Sequence, residues 1–304
     1  MKAETKTRFP FIVGAICVGA LLLGSLKAEA QNLFVGNYHD ILEFAPGGGE
    51  MNFTGGLNYV RALAFDKAGD LFEADCFSGT IFEFINHGGT LSSSPVSFAA
   101  NLNNPGAMAF NQAGDLFVAS DMGNFIYEFA AGSTTPDIYV NTGLSSPQGL
   151  AFDRQGNLYV ANWTDGTITK ITPEKAQSTF ASGLEHPVGL AFSAAGNLYV
   201  ANAGADGFIT EITPGGMQSS IATGLANPQG IAFDSEGNLY VTCHSNTVNG
   251  GNLTKIAPDK TKTVISYSVG NPLGLAIQGQ VLPGSKPPAL IVVEVSKKLR
   301  RPAF

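Results

Sequence analysis

Short runs of alternating hydrophobic and polar residues follow one another along most of the chain, separated by turns rich in Gly, Asn and Asp. Residues 147–172, PQGLAFDRQGNLYVANWTDGTITKIT, contain three such runs. The first, GLAF, is compact and apolar, whereas NLYVAN and TITKIT alternate hydrophobic with polar residues. The turns from Asp153 to Gly156 and from Thr164 to Gly166 join these runs. Alternating runs bounded by turns of this composition predict antiparallel hairpins.

The same pattern recurs with a period near forty residues. A Gly-Asn/Asp-Leu triplet begins at five positions, and subtraction gives spacings of 45, 42, 40 and 41 residues between Gly69, Gly114, Gly156, Gly196 and Gly237. Each period holds about four predicted strands. A period of this length with four strands per unit is typical of a β-propeller, in which each unit forms one blade.

The number of blades follows from the two ends of the repeat array. Five complete units occupy residues 59–100, 105–142, 147–182, 187–223 and 228–269. Residues 32–53 lack a first strand, and residues 272–277 supply a first strand with no unit after it. We therefore predict an all-β, six-bladed propeller of four-stranded antiparallel blades, closed by a C-terminal first strand that joins the N-terminal strands. A seventh blade formed from the tail is the alternative.

Phenylalanine recurs at the end of each complete first strand. These residues are in register with one another, and we predict that they pack between blades: Phe65, Phe110, Phe152, Phe192 and Phe233.

The N-terminal thirty residues differ in composition from the repeats. Lys2, Lys6 and Arg8 form a basic start, residues 9–26 are largely apolar, and Ala28-Glu29-Ala30 precedes a cleavage point. This pattern predicts a signal peptide over residues 1–30 and a protein that is secreted or periplasmic. An uncleaved membrane anchor is the alternative.

The repeats are followed by a tail of different composition. We predict a propeller domain over residues 31–280 and a C-terminal tail over 281–304, which contains ALIVVEV and then the basic KKLRR. The tail either packs on the surface or has a docking or sorting role. Its apolar run is too short to span a bilayer, so no stable membrane insertion of the mature chain is expected. We expect a monomer.

The propeller region is strongly acidic. The whole chain has a formal charge of −7, but residues 31–280 contain 8 Lys and Arg against 21 Asp and Glu, a balance of −13. An acidic domain without a basic stripe argues against a nucleic-acid partner. Cys76 and Cys243 fall in units that should not be neighbours, so two free thiols are expected.

Candidate chemistry is expected where the first strands begin and the second strands end, because these loops meet on one face of a propeller. The residues before the first-strand Gly or Ala include Arg61, Gln148 and Gln229, and those at the second-strand ends include Asp75, Asn162 and Asn202. Trp163, which follows Asn162, is a candidate aromatic shelf. We predict that all seven bind a ligand. The alternative for Asp75, Asn162 and Asn202 is turn chemistry.

Three histidines are expected on the same face: His39, His186 and His244. His244 and His186 are the candidate catalytic residues, as a general base or as ligands of a softer metal such as zinc. The alternative is that they are solvated loop residues. His87 is expected on the opposite face.

The unit P-x-G-[LI]-A-F-D-x-x-G-N-L-Y-V-A-N, followed by G-x-I-x-K-I, resembles the NHL repeat over residues 32–277. It is also similar to the senescence-marker-protein/gluconolactonase superfamily, which shares the six-bladed propeller. In that superfamily Asn and Asp residues before the first-strand glycine help to bind a catalytic metal. Here those positions are occupied by Arg61, Gly106, Gln148, Val188, Gln229 and Leu273, so the expected carboxylate ligands are absent.

Taken together, these patterns favour a propeller that binds a small molecule or a protein partner on its polar channel face without catalysis. The alternative is a gluconolactonase-like hydrolase or lyase acting at the channel mouth. Whether the protein is an enzyme stays open, as does its cofactor. No metal ligand is predicted, and a divalent metal would need ligands other than the expected carboxylates.

Overall fold

The structure is a computed structural model that describes residues 31–204, 206–244 and 251–279. The predicted signal peptide and the tail from residue 281 lie outside the described residues. Within these ranges every regular element is a β-strand, and the strands form six four-stranded sheets and one short hairpin. The sheets are the blades of a six-bladed propeller, as the repeat predicted.

The blades follow one another along the chain. Blade 1 begins with β1 (Leu33–Gly36), β2 (Asp40–Phe44) and β3 (Glu50–Gly55). Blade 2 contains β4 (Val60–Phe65), β5 (Leu71–Asp75), β6 (Thr80–Phe84) and β9 (Val96–Ala99), with the hairpin β7 (Asn86–His87) and β8 (Thr90–Leu91) before its last strand. Blade 3 contains β10 (Pro105–Phe110), β11 (Leu116–Ser120), β12 (Phe125–Phe129) and β13 (Asp137–Val140).

The second half of the ring repeats this order. Blade 4 contains β14 (Pro147–Phe152), β15 (Leu158–Asn162), β16 (Thr167–Ile171) and β17 (Gln177–Ala181). Blade 5 contains β18 (Pro187–Phe192), β19 (Leu198–Asn202), β20 (Gly207–Ile212) and β21 (Gln218–Leu225). Blade 6 contains β22 (Pro228–Phe233), β23 (Leu239–Cys243), β24 (Asn252–Ile256) and β25 (Lys262–Ser266), and β26 (Leu275–Ile277) follows it.

The two ends of the repeat array close the ring. Strand β26 pairs antiparallel with β1, with Leu33 opposite Ile277 and Val35 opposite Leu275. Blade 1 therefore takes its innermost strand from the C-terminal side, which confirms the predicted closure. The strand is shorter than the predicted 272–277 because the pairing before Leu275 is irregular, although Leu273 N still donates to Gly36 O at 2.8 Å.

Edge-to-face aromatic pairs hold successive blades together. At five of the six interfaces, the phenylalanine that ends a first strand packs on an aromatic residue in the second strand of the preceding blade. Ring centroids lie 4.9 to 5.6 Å apart in the pairs Phe34–Phe65, Phe72–Phe110, Phe117–Phe152, Tyr159–Phe192 and Tyr199–Phe233. The phenylalanines that recur in the sequence therefore pack between blades, as predicted.

Replacing Phe152 by Ala should lower the free energy of unfolding by about 3–5 kcal/mol, because it empties a buried interface between blades 3 and 4. Urea melts of the variant and the parent protein measure this. Met217→Ala is the control, since Met217 is 75% exposed and its truncation should have almost no effect. A loss below about 1 kcal/mol for Phe152→Ala would contradict the assigned packing.

One buried position breaks the repeat. The third residue of the second strand is a fully buried valine in five blades, Val35, Val118, Val160, Val200 and Val241, but it is Glu73 in blade 2. Glu73 is equally buried, and neither carboxyl oxygen has a hydrogen-bond partner in the described residues. Burial raises the pKa of Glu73 well above 4.5, and the nearby Asp75 carboxylate raises it further. These surroundings therefore favour the neutral form of Glu73.

We expect Glu73→Val to stabilise the protein near pH 7 by about 1–4 kcal/mol, because it replaces a buried ionisable group with the residue that the other blades carry. The pKa of Glu73 is higher in the folded state than in the unfolded state. Its contribution to the free energy of unfolding is therefore greatest below about pH 4.5 and is lost as the pH rises from there. The stability gain should therefore grow with pH, by up to about 1.4 kcal/mol per pH unit.

Urea melts between pH 4.5 and pH 7.5 test this expectation. Glu73→Gln separates charge from packing, since it removes the titration but leaves a buried polar group. Asp137→Asn, on the outer strand β13, is the exposed control. A gain for Glu73→Val that does not change with pH would show that Glu73 is not a buried titrating group.

The described residues also bear on the cysteines and on possible membrane-spanning helices. Cys76 and Cys243 are both free, as expected from their separation in the ring. No helix in the described part of the chain is long and apolar enough to cross a membrane.

Candidate functional site

In each blade the loop before the first strand and the turn after the second strand meet at one end of the channel. A backbone hydrogen bond repeatedly joins them: the residue after the second strand donates to the residue before the first. It connects Cys76 to Tyr59, Asp121 to Asn104, Trp163 to Ser146, Ala203 to His186 and His244 to Asn227, at 3.0 to 3.4 Å. We call this end the channel mouth. These five hydrogen bonds place side chains from blades 2 to 6 on one rim.

Close approach of the first strands around the axis explains the glycines there. A Cβ atom added to Gly149 would lie 1.8 Å from Val188 O, and one added to Gly189 would lie 2.2 Å from Gln229 O. Only glycine allows the strands to come this close. The preceding residues are thereby gathered around an axial cavity of about 100 Å³, whose lining includes Arg61, Gln148, Val188, Gln229 and Leu273.

Arg61 and Gln148 form a charged cluster with Asp121. Arg61 Nη2 donates to Gln148 Oε1 at 2.6 Å and lies 3.8 Å from Asp121 Oδ2. Gln148 Nε2 donates to the same carboxylate oxygen at 3.3 Å, and Ser146 Oγ donates to the other. Asp121 thus partly balances the charge of Arg61 and orients its guanidinium group. Sequence analysis did not select Asp121, although it lies at the position of Trp163 one blade earlier.

A second cluster runs from Gln229 to His244. Gln229 Nε2 donates to Asn227 Oδ1 at 2.9 Å, and Asn227 Nδ2 lies 3.4 Å from His244 Nδ1. His244 Nε2 is hydrogen-bonded to Tyr38 Oη at 3.0 Å. The structure therefore links two predicted site residues, Gln229 and His244, through Asn227, which sequence analysis did not single out.

The surroundings of His244 favour its neutral form. Burial lowers the pKa of His244 below its usual value of 6.5, and the positive charge of Arg61 lowers it further. Both causes disfavour the protonated ring. A neutral imidazole can donate one hydrogen bond and accept another, which suits the two contacts observed.

The other predicted histidine lies against the only tryptophan of the chain. The rings of Trp163 and His186 are stacked, with centroids 4.4 Å apart and an interplanar angle of 27°. Trp163 is 36% exposed, so one part of the indole faces solvent. A cavity of about 320 Å³ lies at the channel mouth beside this stack, lined by both rings and by Arg61, Gln148, Asn227 and Gln229.

The histidines do not converge into one catalytic pair. His244 belongs to the cluster with Tyr38, whereas His186 stacks on Trp163, and no direct contact joins the two among the described residues. His39 has a third position, with Nδ1 3.3 Å from Leu57 O. Their catalytic roles stay predictions.

An aromatic stack across blades 1 and 2 was missed by sequence analysis. Tyr38 stacks on Tyr59 at 4.8 Å between centroids, and Tyr59 stacks on Phe77 at 4.5 Å. Phe77 is 70% exposed. The position of these residues could have indicated the stack, because Tyr59 precedes a first strand and Phe77 lies in a turn after a second strand.

Asp75, Asn162 and Asn202 support the loops of the channel mouth. Each is almost fully buried, and its side-chain oxygen accepts a hydrogen bond from a loop backbone N–H, of Asn58, Ser145 and Glu185 respectively. These bonds reach a loop 17 residues earlier in the chain, so they hold two loops together. The local turn bonding that the sequence left as the alternative is present at Asp75, whose Oδ1 accepts from Ser78 N at 3.0 Å. Their role in ligand binding stays a prediction, and Arg61, Gln148, Gln229 and Trp163 form the accessible part of the site.

The channel mouth does not fit a divalent metal. Among the described residues no three His, Cys, Asp or Glu side chains form a group that could hold a metal ion. The carboxylate closest to Arg61, Asp121, is bonded to Ser146, Gln148 and the guanidinium group itself. A cation at this carboxylate would meet the charge of Arg61. The metal implied by the gluconolactonase resemblance therefore has no matching ligand set among the described residues of the channel mouth.

Sequence comparison supports the propeller repeat. A family profile described as beta-propeller repeat (SBBP) matches residues 210–250. No curated protein sequence matches the chain.

Solved structures with the same fold cover most of the chain. The chain is similar to a structure from the nidogen/laminin complex, with a TM-score of 0.71 and 20% identity over 82% of this chain and 98% of that one. This likeness shows the fold. The chain is a β-propeller.

Two lyase structures are also similar to this propeller. A streptogramin B lyase has a TM-score of 0.61 and 16% identity, covering 81% of this chain and 84% of its own. A catalytically inactive virginiamycin B lyase from Staphylococcus aureus, solved with quinupristin, has a TM-score of 0.60 and 15% identity, covering 83% and 94%. At these identities the likeness concerns the fold alone.

Arg61→Gln should raise the pKa of His244 toward its usual value, because the substitution removes the positive charge that helps to lower it. Proton NMR titration of the four histidines measures this, with His244 assigned by His244→Gln. Lys67→Gln, at an exposed lysine on the hairpin turn of blade 2, is the control. An unchanged His244 pKa in Arg61→Gln would contradict the placement of the two side chains.

Proposed function

We propose that this protein is a binding propeller whose channel mouth takes a small polar ring compound without transforming it. The observation that carries the proposal is the cavity of about 320 Å³ at the channel mouth, lined by Arg61, Gln148, Asn227, Gln229 and the Trp163–His186 stack. The cavity is open to solvent, and it is the convergence of several polar side chains beside an aromatic face that suits a small polar molecule.

The lining indicates the chemistry of the ligand. Arg61 offers charged donors, and the carboxamides of Gln148 and Gln229 can both donate and accept. Asp121 reduces the net positive charge near Arg61, which favours a neutral or weakly acidic ligand. Trp163 offers a flat apolar surface for the face of a ring. A ring that carries hydroxyl or carbonyl groups, such as a sugar, a sugar acid or a lactone, matches these features.

Trp163 provides the test, because it is the only tryptophan and lines the cavity. Titration of residues 31–304 with sugars, sugar acids and lactones should give a saturable change in tryptophan fluorescence for one class. Arg61→Ala should then weaken binding about tenfold or more, because hydrogen bonds from a charged donor contribute about 1.5–3 kcal/mol.

Met217→Ala, far from the channel mouth on a turn between outer strands, should bind with unchanged affinity. Trp163→Phe removes the signal but keeps a ring, so thermal shift replaces fluorescence for that variant. A response that survives Arg61→Ala and Gln148→Ala together would place the ligand elsewhere. The absence of a response to every class would overturn the small-ligand proposal.

A hydrolase or lyase is the second candidate function. The neutral His244, hydrogen-bonded to Tyr38 and close to Arg61, is the observation that favours it. A neutral imidazole in a channel mouth can accept a proton from a substrate. Turnover of a lactone panel should then be lost in His244→Ala and retained in His39→Ala. Equal activity of both variants would exclude His244 as the base.

We also propose that the protein acts outside the cytoplasm. The basic start, the apolar run and the Ala28-Glu29-Ala30 site support export. N-terminal sequencing of the protein recovered from the native host should begin at Gln31. A chain that begins at Met1 and sediments with membranes would support the anchor instead.

A further inference from the structure

The interface between blades 6 and 1, here called the closing seam, differs from the others in its packing. In blades 1–4 the second-strand aromatic contacts two further aromatic residues, one in the fourth strand of its own blade and the phenylalanine of the next blade. In blade 4 these residues are Tyr159, Phe180 and Phe192. At the closing seam the corresponding residues are Tyr240, Ile265 and Ile277. Two of three aromatic rings are replaced by isoleucine.

The smaller side chains leave an apolar cavity. It measures about 330 Å³, and its apolar lining includes Leu33, Phe44, Ile265 and Ile277. Ile265 is 40% exposed, so the cavity is open on the outer side. Its polar lining includes Asp234, Glu236 and Lys255. An apolar cavity left open to water is a site that favours an apolar occupant.

The chain leaves the described part of the structure beside this cavity. Gln278 N donates to Asn32 O at 2.9 Å, and Gln31 Nε2 donates to Gln278 O at 3.0 Å. Gln31 itself lines the cavity. Residues 280–304 follow, and they contain the apolar run 289–295, ALIVVEV. The nine residues between them can span up to about 30 Å, which is enough for the chain to turn back to the cavity.

The tail and the propeller also carry opposite net charges. Residues 281–304 contain five Lys and Arg and one Glu, a balance of +4, whereas residues 31–280 have a balance of −13. The basic KKLRR follows the apolar run after Ser296, and two carboxylates, of Asp234 and Glu236, line the cavity with one lysine, Lys255. Opposite charges on the two segments steer them together.

We propose that residues 289–295 of the same chain dock into the closing seam, where their aliphatic side chains occupy the space that aromatic rings fill at four of the other interfaces. The docked segment would cover the junction at which the two ends of the ring meet. The tail would then be a structural clasp on the propeller, and the basic residues after it would lie against its acidic surface.

Amide hydrogen exchange of residues 31–304, read by mass spectrometry, tests the proposal. Amides of 289–295 should exchange about tenfold or more slowly relative to a synthetic peptide of the same sequence. Ile265→Phe, which fills the cavity from its exposed edge, should abolish this protection. Ile138→Phe is the matched control, since Ile138 is an isoleucine 48% exposed on the outer strand of blade 3.

Substitutions in the tail provide an independent test of the docking. In an extended segment Ile291 and Val293 share one face, whereas Val292 lies on the face of Glu294. Ile291→Asp with Val293→Asp should therefore remove the protection, and Val292→Asp should retain most of it. Exchange at the rate of the free peptide in the parent protein would overturn the proposal, as would protection that Ile265→Phe leaves unchanged. Protection that appears only at higher protein concentration would show that the tail of a second copy is bound instead.

Discussion

The pairing of β26 with β1 is the contact on which the whole architecture depends. A row of six sheets leaves two open edges unless the first and last units share a blade, and here Leu275–Ile277 supplies the strand that the N-terminal unit lacks. This pairing joins residues that lie 240 to 244 positions apart in the sequence. Once the ring is closed, each first strand lies beside the channel, and aromatic pairs fill five of the six interfaces between blades.

Closure of the ring has one consequence near the channel axis and another farther from it. Away from the axis, edge-to-face aromatic pairs such as Phe117–Phe152 fill the space between blades. Near the axis the strands come too close for side chains, and glycines such as Gly149 and Gly189 are required. The residues beside these glycines then face each other across the channel, although they lie forty positions apart in the sequence. The site is therefore a product of the ring and not of any one blade.

Several features of this protein arise where one blade has a different residue from its equivalents in the other blades. Trp163 stands where other blades have Cys76, Asp121 or Ala203, and it gives the channel mouth a flat apolar wall. Glu73 stands among buried valines, and its surroundings favour its neutral form. Ile265 and Ile277 stand where aromatic rings are expected and leave a cavity at the closing seam. Glu73 and Ile277 each replace a residue that the other five blades share, valine and phenylalanine respectively.

The sequence by itself determined the blade count, the closure and the phenylalanine packing, because each rests on local periodicity that is repeated in register. It also determined which loops would face one another, and Arg61, Gln148, Gln229 and Trp163 do line one mouth. Only the tertiary structure decided how these residues are partnered. The approach of Asp121 to Arg61, the link from Gln229 through Asn227 to His244, and the burial of Asp75, Asn162 and Asn202 depend on distances between blades and on rotamers within loops. Such contacts leave no period in the sequence, so no pattern along the chain can reveal them.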